Sequence, residues 1–345
     1  MLEKRFSDFK TNIAPRKYGE YWEEAKKSFS IDFKNSRYVS FGERNYLPEI
    51  YSTKFEEKSL LKVFSDRKDV YQKLGDQKIC LKKDSDNLTL LYANSYYNLI
   101  KKYIPEGGVV CEVGSGSGLF SSIIHENKNT TNILIDIPEV LLNAIALIFT
   151  LFPKKTFLLP NEIVNNKTIV IKDYNFVFLI PEQANLIINE SIDLGINTQS
   201  FMEMDIKEVD SYLNFFNEKI KYEGYFFTSN RLKKRHYFFN YKFHLLKNFK
   251  KVFLEKDFFF YNYSPNLSSM LNLLLIKSKN IYKKDINFNF FTKITGIFFF
   301  KRKEFFYWTK IYIKKMFKYF LKYYINTKTV KFKILKFRKF FQKKY

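Results

Sequence analysis

Large apolar residues recur at helical spacing in "YWEEAKKSF" (21–29) and "NLTLLYANSYYNLIKKYI" (87–104), so residues 1–104 are predicted to be mostly helical. Pro105 and the pair Gly107–Gly108 break that pattern before a compact apolar run, Val109 to Val113, that reads as a buried strand. Strand and helix patterns then alternate. A helix is expected from about residue 117, a strand at "NILID" (132–136), and a helix opened by Pro138 and closed by Pro153. "KTFLLP" and "TIVIK" read as an inserted hairpin, followed by strands at "NFVFLIP" (175–181) and "SIDLGINT" (191–198). "EMDIKEVDSYLNFFNEKI" reads as an amphipathic helix. "EGYFFTSN" (223–230), "KVFLEKDFFFY" and "LNLLLIK" (271–277) complete the set of strands. Such alternation predicts an α/β fold, a mostly parallel sheet with helices on both faces. Ligands bind such sheets at the carboxyl ends of the strands, beside the switch in strand order.

The chain of 345 residues is long enough for a full core, and 46% hydrophobic against 27% charged residues excludes a disordered polymer. The N-terminus, "MLEKRFSDFKTN", is charged and lacks the apolar core of a signal peptide. The most apolar run, "VLLNAIALIFTLFP" (140–153), is too short to span a bilayer, so a cytoplasmic protein is expected. Cys80 and Cys111 are the two cysteines, and with three histidines (His125, His236, His244) no metal-binding cluster is expected.

Charge is unevenly distributed. Residues 281–345 hold 19 Lys/Arg against Asp285 and Glu304, a net +17 out of the +24 of the whole chain. The chain therefore divides into a helical N-terminal region (1–104), an α/β domain (105–280) and a basic, aromatic C-terminal tail (281–345). In "KIYIKKMFKYFLKYYI", Lys310, Lys314, Lys318 and Lys322 share one helical face, and Ile313, Met316, Phe317, Phe320 and Tyr324 gather on the other. A helix of this kind suits an anionic membrane surface contacted through residues 297–345, peripherally at the inner face. Nucleic acid is the rival partner, and packing on the chain's own domain the third reading.

The chemistry concentrates in "VVCEVGSGSGLF" (109–120). Gly114 and Gly116 fit a dinucleotide loop, but its third glycine position holds Leu119; a phosphate-binding Walker loop fails at Gly118-Leu119-Phe120. What remains is Glu112 followed by Gly114, Gly116 and Gly118, with Asp136 ending the next strand. The first acid suits a cationic ligand and can support the loop by accepting hydrogen bonds. The second can accept both hydroxyls of a ribose.

These features resemble the class I S-adenosylmethionine-dependent methyltransferases, with "EVGSGSG" as first motif and "LIDIPEVL" as second. "DIPEVL", "FLIPEQ", "DLGINTQSFMEM" and "GYFFTSNR" in this order further resemble the bacterial sugar O-methyltransferases associated with surface polysaccharides, over roughly residues 90–231. The resemblance implies a Rossmann-like class I methyltransferase sheet and S-adenosyl-L-methionine as cofactor. It implies that Glu112, Gly114, Ser115, Gly116 and Gly118 hold the methionine part, Asp136 the ribose and Ile137 the adenine. Pro181 and Gln183 would lie along the adenine edge, with "FLLPNEI" (157–163) as rival. Asn197 and Thr198 would end the strand where sulfonium and acceptor meet.

A sugar hydroxyl is a weak acid, so a base is expected near the transfer. Glu203 is the first candidate, with an acid in a first helical turn as the bland alternative; His236 is the second. Asn230 and Arg231 are candidates for binding the sugar or an acidic substituent. Tyr92 and Tyr96 could cover the cofactor pocket, but core packing is the favoured reading, and His125 is expected to serve its own helix C-terminus. An RNA methyltransferase with a phosphate-binding tail is the alternative function. Against it, "INTQSF" lacks the Asn/Asp-Pro-Pro-aromatic signature of base amino methylation.

Overall fold

The computed structural model describes residues 1–13, 30–34, 37–41, 85–163, 168–231, 233–234, 237–238, 246, 248–257 and 270–279. The chain divides into Met1–Asn287 and Phe288–Tyr345, and the second unit lies outside the described residues. So do "YWEEAKKSF", His236, His244 and the whole basic tail.

An eight-stranded sheet forms the centre. Its strands are β3 (Val109–Val113), β4 (Thr131–Ile135), β5 (Phe157–Leu158), β6 (Phe176–Leu179), β7 (Ile192–Thr198), β8 (Ile220–Arg231), β11 (Phe249–Lys256) and β12 (Met270–Lys277), in the order β11-β12-β8-β7-β3-β4-β6-β5. All pairings from β8 to β5 are parallel, while β12 runs antiparallel to both β8 and β11. This is a Rossmann-like α/β sheet, its strand order reversing between β3 and β7. Among the described residues a separate hairpin joins β1 (Ser30–Lys34) to β2 (Arg37–Phe41), and a second pairs β9 (Lys233–Lys234) with β10 (Tyr237–Phe238).

Helices α2 (Ser85–Ile100), α3 (Leu119–Lys128) and α4 (Pro138–Leu151) cover one face, and α5 (Ile206–Lys219) covers the other with Val209, Leu213 and Phe216 buried. Helix α4 is buried on every side, from Leu141 to Phe149 without interruption. A helix apolar all round needs a cover on the side away from the sheet. Helix α1 (Leu2–Thr11) and the β1–β2 hairpin supply it, which accounts for the run that was weighed against a bilayer. Each buried Ile or Leu there contributes about 1.5–3 kcal/mol relative to exposure. Arg5 ties α1 down with a fork onto Glu162, Nε to Oε1 and Nη2 to Oε2, both at 2.6 Å.

The N-terminal region, expected to be mostly helical, also holds the β1–β2 hairpin. One expectation needs correction. "KTFLLP" and "TIVIK" do not pair as a hairpin. Phe157 and Leu158 extend the parallel sheet beside β6, and Ile171–Asp173 is a short 3-10 turn. The apolar alternation that suggested a strand comes from Ile169 and Ile171 turning inward, with Val170 exposed between them. Among the described residues no helix is long and apolar enough to cross a membrane, and no group of three or more His, Cys, Asp or Glu could hold a metal ion.

Candidate active site

The loop after β3 lies at the switch point, between the carboxyl ends of β4 and β7. Gly114, Gly116 and Gly118 all adopt left-handed backbones, at φ 73°, 56° and 71°. At Gly114 this freedom coincides with a close approach: a Cβ there would lie 1.9 Å from Ser200 Oγ in the turn after β7. At Gly116 a Cβ would meet nothing within 4 Å among the described residues, so this backbone is open on that side. Ser115, between them, is only 6% exposed, and among the described residues its Oγ makes no hydrogen bond. Gly118 opens α3, whose first amide groups and dipole favour an electron-rich ligand group. An open backbone, an unsatisfied buried hydroxyl and a helix N-terminus in one turn fit the amino-acid end of a cofactor.

Asp136 follows β4 and is half-buried beside this loop. Its Oδ2 accepts the Gly116 N–H at 2.8 Å, and its Oδ1 accepts the Ile137 N–H at the same distance. A carboxylate oxygen has two acceptor lone pairs, so accepting an amide does not prevent it from also accepting a hydroxyl. Glu112 lies deeper. It is 2% exposed, and its Oε2 accepts a 2.6 Å hydrogen bond from Ser121 Oγ on α3. Burial pushes its carboxyl up to about 8, the Ser121 bond opposes the shift and the Asp136 charge adds to it. Glu112 thus braces the loop from behind.

The carboxyl end of β6 forms the next wall, the Asp136 N–H donating to Leu179 O at 3.3 Å. Pro181 opens a short 3-10 turn there. Gln183 caps that turn, its Oε1 accepting from Ile180 N–H, and its Nε2 donates to Pro160 O at 2.9 Å. The rival segments "FLIPEQ" and "FLLPNEI" are therefore neighbours joined by this bond. The Gln183 amide is engaged in holding the wall together. From the opposite face, α5 contributes a residue that periodicity alone could not mark: Tyr212. Its phenol is pushed above its ordinary value first by burial and then by the nearby Asp136 carboxylate.

The end of β7 is a buried polar junction. Asn197, fully buried, donates from Nδ2 to Val113 O at 2.9 Å, and its Oδ1 accepts from Phe201 N–H and from Asn230 Nδ2. Asn230 also donates to Thr228 Oγ1 at 2.7 Å and accepts from Met202 N–H at 3.2 Å. Both were candidates for direct ligand contact. In the structure each amide is hydrogen-bonded to strands β3, β7 and β8 and the turn after β7, and is buried. Thr198, half-buried, ends β7, and Arg231, half-buried, ends β8. Glu203 is half-buried in the turn 201–204, before α5 begins at Ile206, so it is not an acid of the first helical turn.

Sequence patterns gave no sign of a second cluster beside this junction. Tyr96 of α2 rests edge-on against Phe227 with its ring tilted on Phe120, and its hydroxyl accepts from Gln199 Nε2 at 3.3 Å and from Ser229 Oγ at 3.1 Å. It is also hydrogen-bonded to Asp257, a buried carboxylate following β11; burial first, then that charge, pushes the phenol well above its ordinary value. Tyr92 lies in the same helix, with its side chain outside the described residues. His125, on α3, places Nδ1 2.6 Å from Thr130 O just beyond its helix and packs on Phe152 and Phe176, away from the site.

No family profile and no curated protein sequence matches the chain. Solved structures resemble it distantly. Phosphoethanolamine N-methyltransferase 1 of Haemonchus contortus, in complex with phosphoethanolamine and S-adenosylhomocysteine, matches at a TM-score of 0.43 and 13% identity over 77% of this chain and 57% of that one. A TehB-like SAM-dependent methyltransferase from Corynebacterium glutamicum matches at 0.38 and 10% over 62% and 97%. The [4+2]-cyclase SpnF matches at 0.39 and 13% over 54% and 81%. At such distances the reactions and acceptors of those proteins do not define those of this chain.

Proposed function

We propose that this chain is an S-adenosylmethionine-dependent O-methyltransferase acting on a sugar hydroxyl of a bacterial surface glycan or its lipid- or nucleotide-linked precursor. The observation that carries the cofactor reading is the convergence of the left-handed glycine loop and the Asp136 carboxylate at the switch point of the sheet. Gly114, Ser115, Gly116 and Gly118 would hold the amino-acid part, Asp136 the ribose, and Ile137 with Pro181 the adenine. When bound, the cofactor supplies an activated methyl group on a sulfonium sulfur.

The turn after β7 stands against that loop at the Gly114–Ser200 contact, so the acceptor belongs beside Thr198 and Glu203. Glu203 would take the proton of the acceptor hydroxyl, and Arg231 would bind an acidic substituent. His236 is the second base candidate. The sugar as acceptor rests on the likeness of "DLGINTQSFMEM" and "GYFFTSNR" to sugar O-methyltransferases. The basic tail would bring the enzyme to an anionic membrane carrying lipid-linked sugars.

Calorimetry with S-adenosylmethionine tests the cofactor, and no binding by the purified protein would overturn it. Mass spectrometry of glycans from cells with and without the gene tests the acceptor through the loss of a methyl group.

A further inference from the structure

Gln199 is one of the non-glycine residues with a left-handed backbone, at φ 58°, and it sits directly after β7. Left-handed non-glycine residues persist where surrounding contacts over-determine them, and they cluster at functional sites. Here the Gln199 N–H donates to Ser229 O at 2.7 Å, and the side-chain Nε2 donates to the Tyr96 hydroxyl. Its neighbour Ser200 is the residue packed on Gly114. The turn is therefore held between α2, β8 and the glycine loop.

Hydrogen-bond polarity fixes how the amide is presented. The Asp257 carboxylate can only accept, so the single Tyr96 proton is drawn to it. The Tyr96 oxygen must then accept from Gln199, which places Nε2 on the tyrosine and leaves Oε1 as the other end of the amide. Among the described residues Oε1 has no hydrogen-bond partner, and Gln199 is half-buried rather than sealed. A carbonyl oxygen held in this way accepts an O–H.

We propose that Gln199 recognises, through Oε1, a hydroxyl of the acceptor beside the one that is methylated, with Tyr96 and Asp257 as positioning residues that orient its amide. This rests on the methyltransferase reading above. It adds that the acceptor is recognised as a neutral hydroxyl donor, because an anionic oxygen would be repelled by the carbonyl.

The test uses the full chain, S-adenosylmethionine and the methyl glycosides of glucose, galactose, mannose and rhamnose as acceptor probes. Gln199→Gly removes the amide while relieving the left-handed backbone. It should melt at or above the wild-type temperature and bind S-adenosylmethionine as the wild type does. Its acceptor KM should rise at least tenfold. Tyr96→Phe, which keeps the Gln199 amide but releases it to turn, should raise the same KM by a smaller factor with cofactor affinity unchanged. A wild-type acceptor KM in Gln199→Gly would overturn the assignment, as would a wild type that binds cofactor but methylates none of the glycosides. Failure to bind S-adenosylmethionine at all would instead remove the broader reading, and this inference with it.

Discussion

Asp136 holds Gly116: its Oδ2 accepts that residue's N–H at 2.8 Å while its Oδ1 accepts the Ile137 N–H. One side chain thus sets the glycine loop against the end of β4. Asp136→Ala is expected to cost about 1 kcal/mol of stability, since the released amides are near solvent. Its affinity for S-adenosylmethionine should fall roughly a hundredfold, as two hydroxyl acceptors on a carboxylate are lost with the brace. Thermal melts and calorimetry separate the two effects. Undiminished affinity would remove Asp136 from the cofactor site.

The glycines of the loop are expected to respond differently to the same substitution. At Gly114 a methyl group would sit 1.9 Å from Ser200 Oγ and 2.3 Å from its Cβ, on a backbone at φ 73°. Gly114→Ala must displace the turn after β7 and should cost about 2–4 kcal/mol. At Gly116 the same change meets no atom within 4 Å among the described residues, leaving only the left-handed backbone cost of about 1–2 kcal/mol. Gly116→Ala should therefore stay folded yet bind S-adenosylmethionine poorly, because its methyl group occupies the open side of the loop. Equal stability losses in the two variants would show that Ser200 does not constrain Gly114.

The basic tail makes a separate prediction. Deleting residues 281–345 removes a net +17 of charge and the Lys310–Lys322 face. Binding to vesicles of mixed phosphatidylglycerol and phosphatidylcholine should be lost, while S-adenosylmethionine affinity is retained. Sedimentation with vesicles measures it, and unchanged binding by the truncated chain would rule out docking through the tail.

The parts of the fold written in local pattern were legible in the sequence. Val109–Val113, the glycine triplet and Asp136 each carry their own signal, since a buried parallel strand and a ligand-hugging turn restrict residue type position by position. Asn197 and Asn230 were placed correctly at strand ends, but the hydrogen bonds that hold their amides were not legible. Whether an amide faces a ligand or a neighbouring strand depends on pairings between β3, β7 and β8, which come from far apart in sequence. Tyr96 and Asp257 are an extreme case. Helix α2 and the end of β11 meet through Ser229, and no motif links positions so widely separated. Likewise, the apolar run of α4 could be explained only once α1 and the β1–β2 hairpin were seen against it.

Glu112 gives the sharpest dependence on pH. Burial raises its carboxyl from the ordinary 4.5 to about 8, so the folded chain keeps a proton that the unfolded chain releases above 4.5. The folded state binds more protons throughout that window, and stability must fall as pH rises through it, by up to about 1.4 kcal/mol per pH unit. Neighbouring charge acts in the same direction, since Asp136 adds to the shift, while the Ser121 hydroxyl moderates it. Glu112→Gln preserves shape and a hydrogen bond to Ser121 but carries no titrating proton. The variant and the wild type should be close in stability near pH 5, and the variant should gain steadily relative to wild type up to pH 8. Urea unfolding at pH 5, 6, 7 and 8 reads this difference directly; parallel pH profiles would mean that Glu112 titrates as an ordinary carboxylate and does not carry a proton in the folded loop.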